Sequence, residues 1–120
     1  VGAKMFPMFT SQGQYPGEEV IFSLTDPITD GEEITRLVEE GFIVRTRADS
    51  GGVEPDNNDT TRFEAALASG AHTIATDYPG PVDGMEYWID IPEGNPSRCN
   101  PVVAPIWCTP SEIENLETTV

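Results

Sequence analysis

The chain contains few of the residues that mark the common kinds of binding or catalytic site. Its 120 residues include two cysteines, one histidine and six lysines or arginines, against twenty-one aspartates and glutamates. The net charge of −15 repels nucleic-acid phosphates, so we expect no nucleic-acid partner. No stretch of about eighteen apolar residues is present, so we expect no transmembrane segment. Any anionic ligand must therefore be bound by a few well-placed cations.

The length of the chain allows at most one domain. It begins with Val1 rather than methionine, which suggests a partial sequence. We interpret residues 1–110 as one incomplete domain and residues 111–120 as an acidic, flexible terminus.

The two cysteines, Cys99 and Cys108, lie in the segment "RCNPVVAPIWC". They lack CxxC spacing and a neighbouring histidine, so the pattern does not indicate a metal site. It favours a disulfide that closes a short loop over the alternative of two free thiols. A disulfide would place the protein in an oxidising compartment, secreted or extracytoplasmic.

Two segments are predicted to be helices, residues 31–40 and residues 60–69. Both carry apolar residues at helical spacing, and a glycine, Gly41 or Gly70, ends each of them. The pair Thr29–Asp30 supplies the expected N-cap of the first helix.

Strand-like segments alternate with these helices. "VIFSLTDP" precedes the first helix, "FIVRTR" follows it, and "TIATDYP" follows the second helix. This order predicts βαβ units and a parallel sheet. With only two helices, one face and one edge of that sheet stay uncovered, so we interpret the chain as one side of a larger fold. "AKMFPMF" near the start is a further strand candidate, which Pro7 weakens.

The segment after residue 80 is rich in proline and has one strand-like piece, "MEYWIDI". We predict an irregular extension, held by the disulfide, that wraps the sheet. Trp88 and Trp107 are expected to anchor it by covering apolar surface.

Polar side chains follow two of the predicted strands. Alternation along "FIVRTRAD" places Arg45, Arg47 and Asp49 on one face, and Thr76 and Asp77 end the next strand in the same way. The carboxyl ends of parallel barrel strands form the mouth where ligands bind. Since guanidinium forks match phosphate oxygens, the pattern predicts an anionic substrate. The alternative is an Arg–Asp network that only braces the strand ends.

Two other features of the sequence are not assigned to chemistry. His72 lies at the amino-terminal side of its strand, away from the predicted mouth, so we expect no catalytic role. "EPDNNDTT" is rich in oxygen ligands but lacks the residue order of a calcium-binding EF-hand loop, and we interpret it as a solvated loop. No catalytic residue and no metal ligand is therefore predicted in this chain.

Three segments together resemble the C-terminal portion of secreted calcium-dependent phosphoinositide-specific phospholipases C, in the TIM-barrel phosphodiesterase superfamily. They are "LVEEGFIVRTRAD", "NDTTRFEAALASGAHTIATDYP" and "RCNPVVAP…C", within about residues 18–108. The resemblance implies an α/β fold in which this chain supplies the last units of a parallel (β/α)8 barrel. It also implies calcium as cofactor, a phosphoinositide lipid at a membrane surface as substrate, and catalytic histidines and the rest of the barrel upstream.

The implied reaction cleaves phosphatidylinositol to diacylglycerol and inositol cyclic phosphate, and this chain alone is expected to be inactive. Arg45 and Arg47 would contact phosphate or inositol, Asp49 and Asp77 would orient them, and Thr76 would line the mouth. Two alternatives stay open. One is a glycerophosphodiester phosphodiesterase-like enzyme, which normally has a different motif where this chain has "RTRAD". The other is a non-catalytic, acidic, secreted binding module.

Overall fold

The predicted alternation of strands and helices is present in a computed structural model, which describes residues 10–11, 21–92 and 96–113 and only the backbone of residues 10 and 11. The elements in chain order are β1 (Thr10–Ser11), β2 (Ile21–Ser23), α1 (Pro27–Glu39), β3 (Ile43–Arg47), α2 (Val53–Asp56), α3 (Thr61–Ser69), β4 (Thr73–Ala75) and α4 (Pro110–Ile113). Neighbouring strands pair in parallel in the order β1-β2-β3-β4. The α/β class and the parallel sheet are confirmed. The strand candidate at residues 3–9 lies outside the described residues.

Helix α1 begins four residues earlier than predicted. Its N-cap is Asp26, whose Oδ1 accepts hydrogen bonds from the amides of Ile28 (3.1 Å) and Thr29 (3.4 Å). Pro27 occupies the first turn, where its missing N–H costs nothing because that amide has no partner within the helix. The prediction of Thr29–Asp30 as the N-cap is therefore wrong. The helix ends, as predicted, next to Gly41, whose φ is +94°.

The second predicted helix is α3, and the segment before it holds an unpredicted one. Helix α3 ends at Gly70 in the left-handed conformation, as predicted. The acidic segment interpreted as a solvated loop contains the four-residue helix α2, in which Glu54 and Pro55 are buried. The interpretation of "EPDNNDTT" as a solvated loop is therefore wrong for Glu54 and Pro55, whereas residues 56–61 are exposed as expected.

The two faces of β3 have different environments. Val44, Thr46 and Ala48 are fully buried on the side where α1 and α3 pack. Arg45 and Arg47 lie on the opposite side and are half-buried. In residues 21–92 both long helices contact the first face and neither covers the opposite one, in agreement with the predicted uncovered face.

The C-terminal extension is irregular and covers part of the helical side. Tyr87 (1% exposed) and Ile89 (9% exposed) pack with Ala48 and Phe63. The segment "MEYWIDI" pairs with no neighbouring strand in the described part of the chain. The disulfide Cys99–Cys108 is present, as predicted.

The tryptophans differ from the prediction. Trp107 is 70% exposed and Trp88 is 39% exposed, so neither covers apolar surface in the way expected of a buried anchor. The extension is held instead by Asn100, whose Nδ2 donates to the carbonyl oxygen of Gly70 at 2.6 Å. None of the helices within residues 21–92 and 96–113 has the length and apolar character that crossing a bilayer requires.

We expect Gly70→Ala to destabilise the complete protein by about 2–4 kcal/mol. A residue with a side chain is strained at φ +82°, which costs about 1 kcal/mol, and a Cβ here would lie 2.9 Å from Cβ of Val102. Overpacking of this kind costs a further ~1–3 kcal/mol. Urea unfolding of the wild type and the variant measures the difference.

Gly41→Ala is the matched control, because its φ is also positive but a Cβ there meets no atom within 4 Å. It should cost only the backbone strain of about 1 kcal/mol. Equal destabilisation by the two substitutions would show that the extension does not pack tightly against Gly70.

Candidate functional site

The parallel register brings the polar strand ends together at one edge of the sheet. Arg45 pairs with Ser23 of β2 on one side and with Thr73 of β4 on the other. Arg47 pairs with Ala75, so the residues just beyond it meet the residues that follow β4. The hydrogen bond from the Ala48 amide to the Ala75 carbonyl (2.9 Å) continues this register past the last residue of β3.

Arg47 is held by acceptors from both strand ends. Its Nε donates to the Asp49 carbonyl oxygen at 3.0 Å, and its Nη2 contacts Oδ1 of Asp49 at 3.4 Å and Oδ2 of Asp77 at 2.8 Å. Burial disfavours the guanidinium charge, but the hydrogen bond to Asp49 and the charge of Asp77 outweigh it. The pKa of Arg47 is therefore raised above its ordinary value, and the side chain is fixed in one orientation.

Asp49 is the centre of this network. Its side chain is fully buried, and it accepts hydrogen bonds from the Thr76 hydroxyl and from the Asp77 amide (3.2 Å) in addition to Arg47. Thr76 in turn accepts from the Tyr78 amide at 2.9 Å. Four of the five predicted site residues are thus joined in one cluster, as the bracing alternative predicted for them.

Arg45 stands apart from that cluster. Its Nη1 donates to the Ser23 hydroxyl at 3.2 Å, and no carboxylate within the described residues lies close enough to form an ion pair with it. The sequence placed both arginines in one role, but the structure gives them different partners. Ser23 was not predicted as a site residue, since nothing in the spacing of "IFSLTD" shows that β2 ends beside Arg45.

A second network, not predicted from the sequence, joins the loops at this edge. Nε of Arg62 on α3 binds Oε1 of Glu54 at 2.8 Å, and its Nη1 donates to the Thr25 carbonyl oxygen at 3.0 Å. Glu54 also accepts from the amide of Ser50 at 2.9 Å. Since Thr25 follows β2 and Ser50 follows β3, Arg62 fixes the positions of two loops at the carboxyl edge.

Tyr87 closes the helical side of the same edge. Its hydroxyl lies 3.4 Å from the carbonyl oxygen of Ala48, and its ring meets that of Tyr78 edge to face at 5.4 Å between centroids. Burial, together with the nearby charge of Asp49, raises the pKa of Tyr87 to about 12. The phenol therefore stays neutral and supports the backbone beside Asp49.

His72 lies where the sequence predicted, at the opposite end of β4. Its Nδ1 accepts a hydrogen bond from the Val44 amide at 3.2 Å, and its own amide donates to the Val44 carbonyl at 2.9 Å. The side chain thus extends the pairing between β3 and β4. This contact is structural, and it lies on the amino-terminal side of Thr73, the residue of β4 that pairs with Arg45.

The described residues do not fit a calcium site. Within them, no three acidic, histidine or cysteine side chains come together as metal ligands would. Asp49 is surrounded by hydrogen-bond donors, and Asp77 is bound to Arg47 through Oδ2. We therefore assign no step of any reaction to a metal held by these residues.

The ionisation of Glu54 makes the stability of this edge depend on pH. Burial works against its charge, but hydrogen bonds from the backbone amides of Ser50 and Glu54 and from Arg62 outweigh it, so the pKa is lowered from its ordinary value of 4.5. The ionised carboxylate therefore stabilises the fold. That contribution is complete above the unfolded-state pKa and is lost as pH falls through the lower folded-state value.

We expect the free energy of unfolding of the complete protein to fall less steeply with acid in Glu54→Gln than in the wild type, below pH about 4.5. Urea unfolding between about pH 3 and pH 6 measures both curves. Glu86→Gln, at an exposed loop position, is the control and should follow the wild type. Parallel curves for Glu54→Gln and the wild type would contradict the assignment of Glu54.

Comparison with known proteins gives the chain a family. Residues 5–101 match the family described as phosphoinositide phospholipase C, Ca²⁺-dependent. Comparison with curated proteins and with solved structures gave no significant match. The family match contains β2, β3 and β4 and all five predicted site residues, and it agrees with the resemblance found in the sequence. The chain therefore belongs to the Ca²⁺-dependent phosphoinositide phospholipase C family.

Proposed function

We propose that this chain supplies the last strand–helix units of a TIM-like barrel that cleaves phosphatidylinositol. Family membership supports the substrate class. The parallel sheet, with helices on one side and arginines on the other, supports the barrel, because in such barrels the side without helices faces the interior. The observation that carries the proposal is Arg45, a half-buried guanidinium on that side with no carboxylate partner in the described residues.

The proposed reaction transfers a phosphoryl group within the substrate. The inositol 2-hydroxyl oxygen attacks phosphorus, the bond from phosphorus to the glycerol oxygen breaks, and the products are inositol cyclic phosphate and diacylglycerol. A general base takes the proton of the 2-hydroxyl, and a general acid protonates the leaving glycerol oxygen. Because Nδ1 of His72 already accepts a hydrogen bond from the Val44 amide, we assign both tasks to histidines upstream of this chain.

Of the two arginines, Arg45 would act on the charge of the phosphate group, because no carboxylate in the described residues neutralises it. As the attack proceeds, negative charge grows on the non-bridging oxygens, and a fixed guanidinium stabilises it without having to reorganise. Arg45 is held by the Ser23 hydroxyl, whereas Arg47 is fixed by Asp49 and Asp77 and would contact the headgroup beside them. Calcium, which the family name includes, is assigned no ligands here, because the described residues do not fit such a site.

The proposed setting is a membrane surface outside the cytoplasm. The disulfide Cys99–Cys108 supports an oxidising compartment, since such bonds persist there. The lipid substrate would be met at the bilayer surface.

We expect Arg45→Ala in the complete protein to lower the turnover of phosphatidylinositol by about 10²–10³-fold, the usual effect of removing one charge-stabilising donor. Arg47→Ala should also lower turnover. It should in addition lower stability, because it leaves the buried Asp49 without its cation. Release of inositol cyclic phosphate from phosphatidylinositol vesicles measures turnover, and thermal unfolding measures stability.

Arg36→Ala is the matched control. This arginine is on the exposed surface of α1, where it pairs with Glu33 and Glu40, and it should turn over substrate like the wild type. Wild-type turnover in both Arg45→Ala and Arg47→Ala would mean that the arginines only brace the strands. A complete protein that binds the lipid without cleaving it would favour the non-catalytic module.

A further inference from the structure

The two arginines at the carboxyl edge lie in opposite electrostatic surroundings. The formal charges of Arg47, Asp49 and Asp77 sum to −1, and all three are in direct contact. Arg45 keeps an uncompensated charge of +1, because its only described side-chain partner is the neutral hydroxyl of Ser23. The two guanidinium groups are therefore suited to different ligands.

Arg45 lies between two hydroxyl groups in a row that crosses three strands. Ser23 is its partner in β2, and Thr73 is its partner in β4, at a strand spacing of about 4.8 Å on each side. Ile74 packs into the helical side of the sheet, so its neighbour Thr73 points to the opposite side, where Arg45 lies. Thr73 is exposed, and its hydroxyl makes no hydrogen bond within the described residues. We call Ser23, Arg45 and Thr73 the hydroxyl row.

The hydroxyl row has the chemistry of an anion subsite. Phosphodiester oxygens carry negative charge and only accept hydrogen bonds, so they need donors and a positive charge that no carboxylate cancels. The guanidinium supplies the charge and up to five N–H donors, and each flanking hydroxyl can add one donor. A phosphate beside Asp77, in contrast, would face a like charge.

The Arg47–Asp77 pair has the chemistry of a polyol subsite. A ring hydroxyl both donates and accepts, so it is best matched by an acceptor and a donor fixed side by side. Asp77 offers carboxylate oxygens on a side chain that is 63% exposed, and Arg47 offers N–H groups beside it. The local formal charge of −1 disfavours an anion but not an uncharged polyol.

We propose that the hydroxyl row binds the phosphodiester oxygens and that the Arg47–Asp77 pair binds uncharged hydroxyl groups of the same headgroup. This assignment rests on the proposed function for the presence of both groups in one substrate. It adds Ser23 and Thr73 to the site and gives the two arginines separate roles. It also gives the headgroup an orientation. The hydroxyl groups lie closer to the carboxyl end of β3 than the phosphate does, because Arg47 follows Arg45 by two residues.

The test measures the dissociation constants of two simple probes for the complete protein by calorimetry. Inorganic phosphate is the anion probe and myo-inositol is the polyol probe, and no calcium is added, so that a bound ion does not hold the phosphate. We expect Ser23→Ala and Thr73→Val each to weaken phosphate binding by roughly tenfold, the effect of one hydrogen bond to a charged group. Both should leave inositol binding within about twofold of the wild type.

Asp77→Asn should give the reverse pattern, with inositol binding weakened roughly tenfold and phosphate binding unchanged or tighter. Thr73→Ser keeps the hydroxyl and should restore phosphate binding, which separates loss of the donor from a general change in the fold. Arg36→Ala is the control for both probes. Thermal unfolding of each variant checks that it is folded.

Phosphate binding that is unchanged in both Ser23→Ala and Thr73→Val would overturn the proposal, as would an equal loss of both probes in every variant. These outcomes are independent of turnover. A wild-type protein that binds both probes with the expected pattern but cleaves no phosphatidylinositol would overturn the proposed reaction and leave the two subsites in place.

Discussion

A carboxylate shielded from solvent must be surrounded by donors, and in this chain that carboxylate belongs to Asp49. Three groups satisfy it, the Arg47 guanidinium, the Thr76 hydroxyl and the Asp77 amide. An ion pair of this kind is favourable only when the remaining hydrogen-bonding capacity is also used. Because the donors come from two different strand ends, Asp49 fixes the end of β3 against the end of β4.

The rest of the carboxyl edge depends on this constraint. Once Arg47 is committed to Asp49 and Asp77, Arg45 is the cation at this edge whose charge stays available. Arg62 is committed in the same way, to Glu54 and the loop after β2. The chain has only six lysines and arginines and a net charge of −15. The ion pairs of its arginines therefore decide where an anion can bind.

The sequence predicted the sheet because its signals were local. Alternation along "FIVRTRAD" gave the two faces of β3, and Gly41 and Gly70 ended the helices as left-handed residues do. Asp26 was missed as an N-cap because "TDP" followed strand residues directly and was taken as the end of the strand. Helix α2 has only four residues, too few for an amphipathic repeat.

What the sequence did not contain were the contacts between strands. Arg45 and Arg47 have the same spacing pattern, and only the register with β2 shows that one meets Ser23 while the other meets Asp77. The segment "MEYWIDI" was predicted to be strand-like, yet it forms no strand in the described residues, where Tyr87 and Ile89 are buried and the Ile89 amide donates a single hydrogen bond to the Tyr78 carbonyl oxygen at 2.9 Å. Trp107 was expected to cover apolar surface but is exposed, because its packing depends on the path of the loop that the disulfide closes.

The most direct measurement is a crystal structure of the complete protein with inositol cyclic phosphate bound. The account predicts phosphate oxygens within hydrogen-bonding distance of the Arg45 guanidinium, inside a closed ring of parallel strands, with Arg47 still bound to Asp49. A ligand bound elsewhere, or an Arg45 side chain covered by a helix on the outside of the sheet, would contradict it.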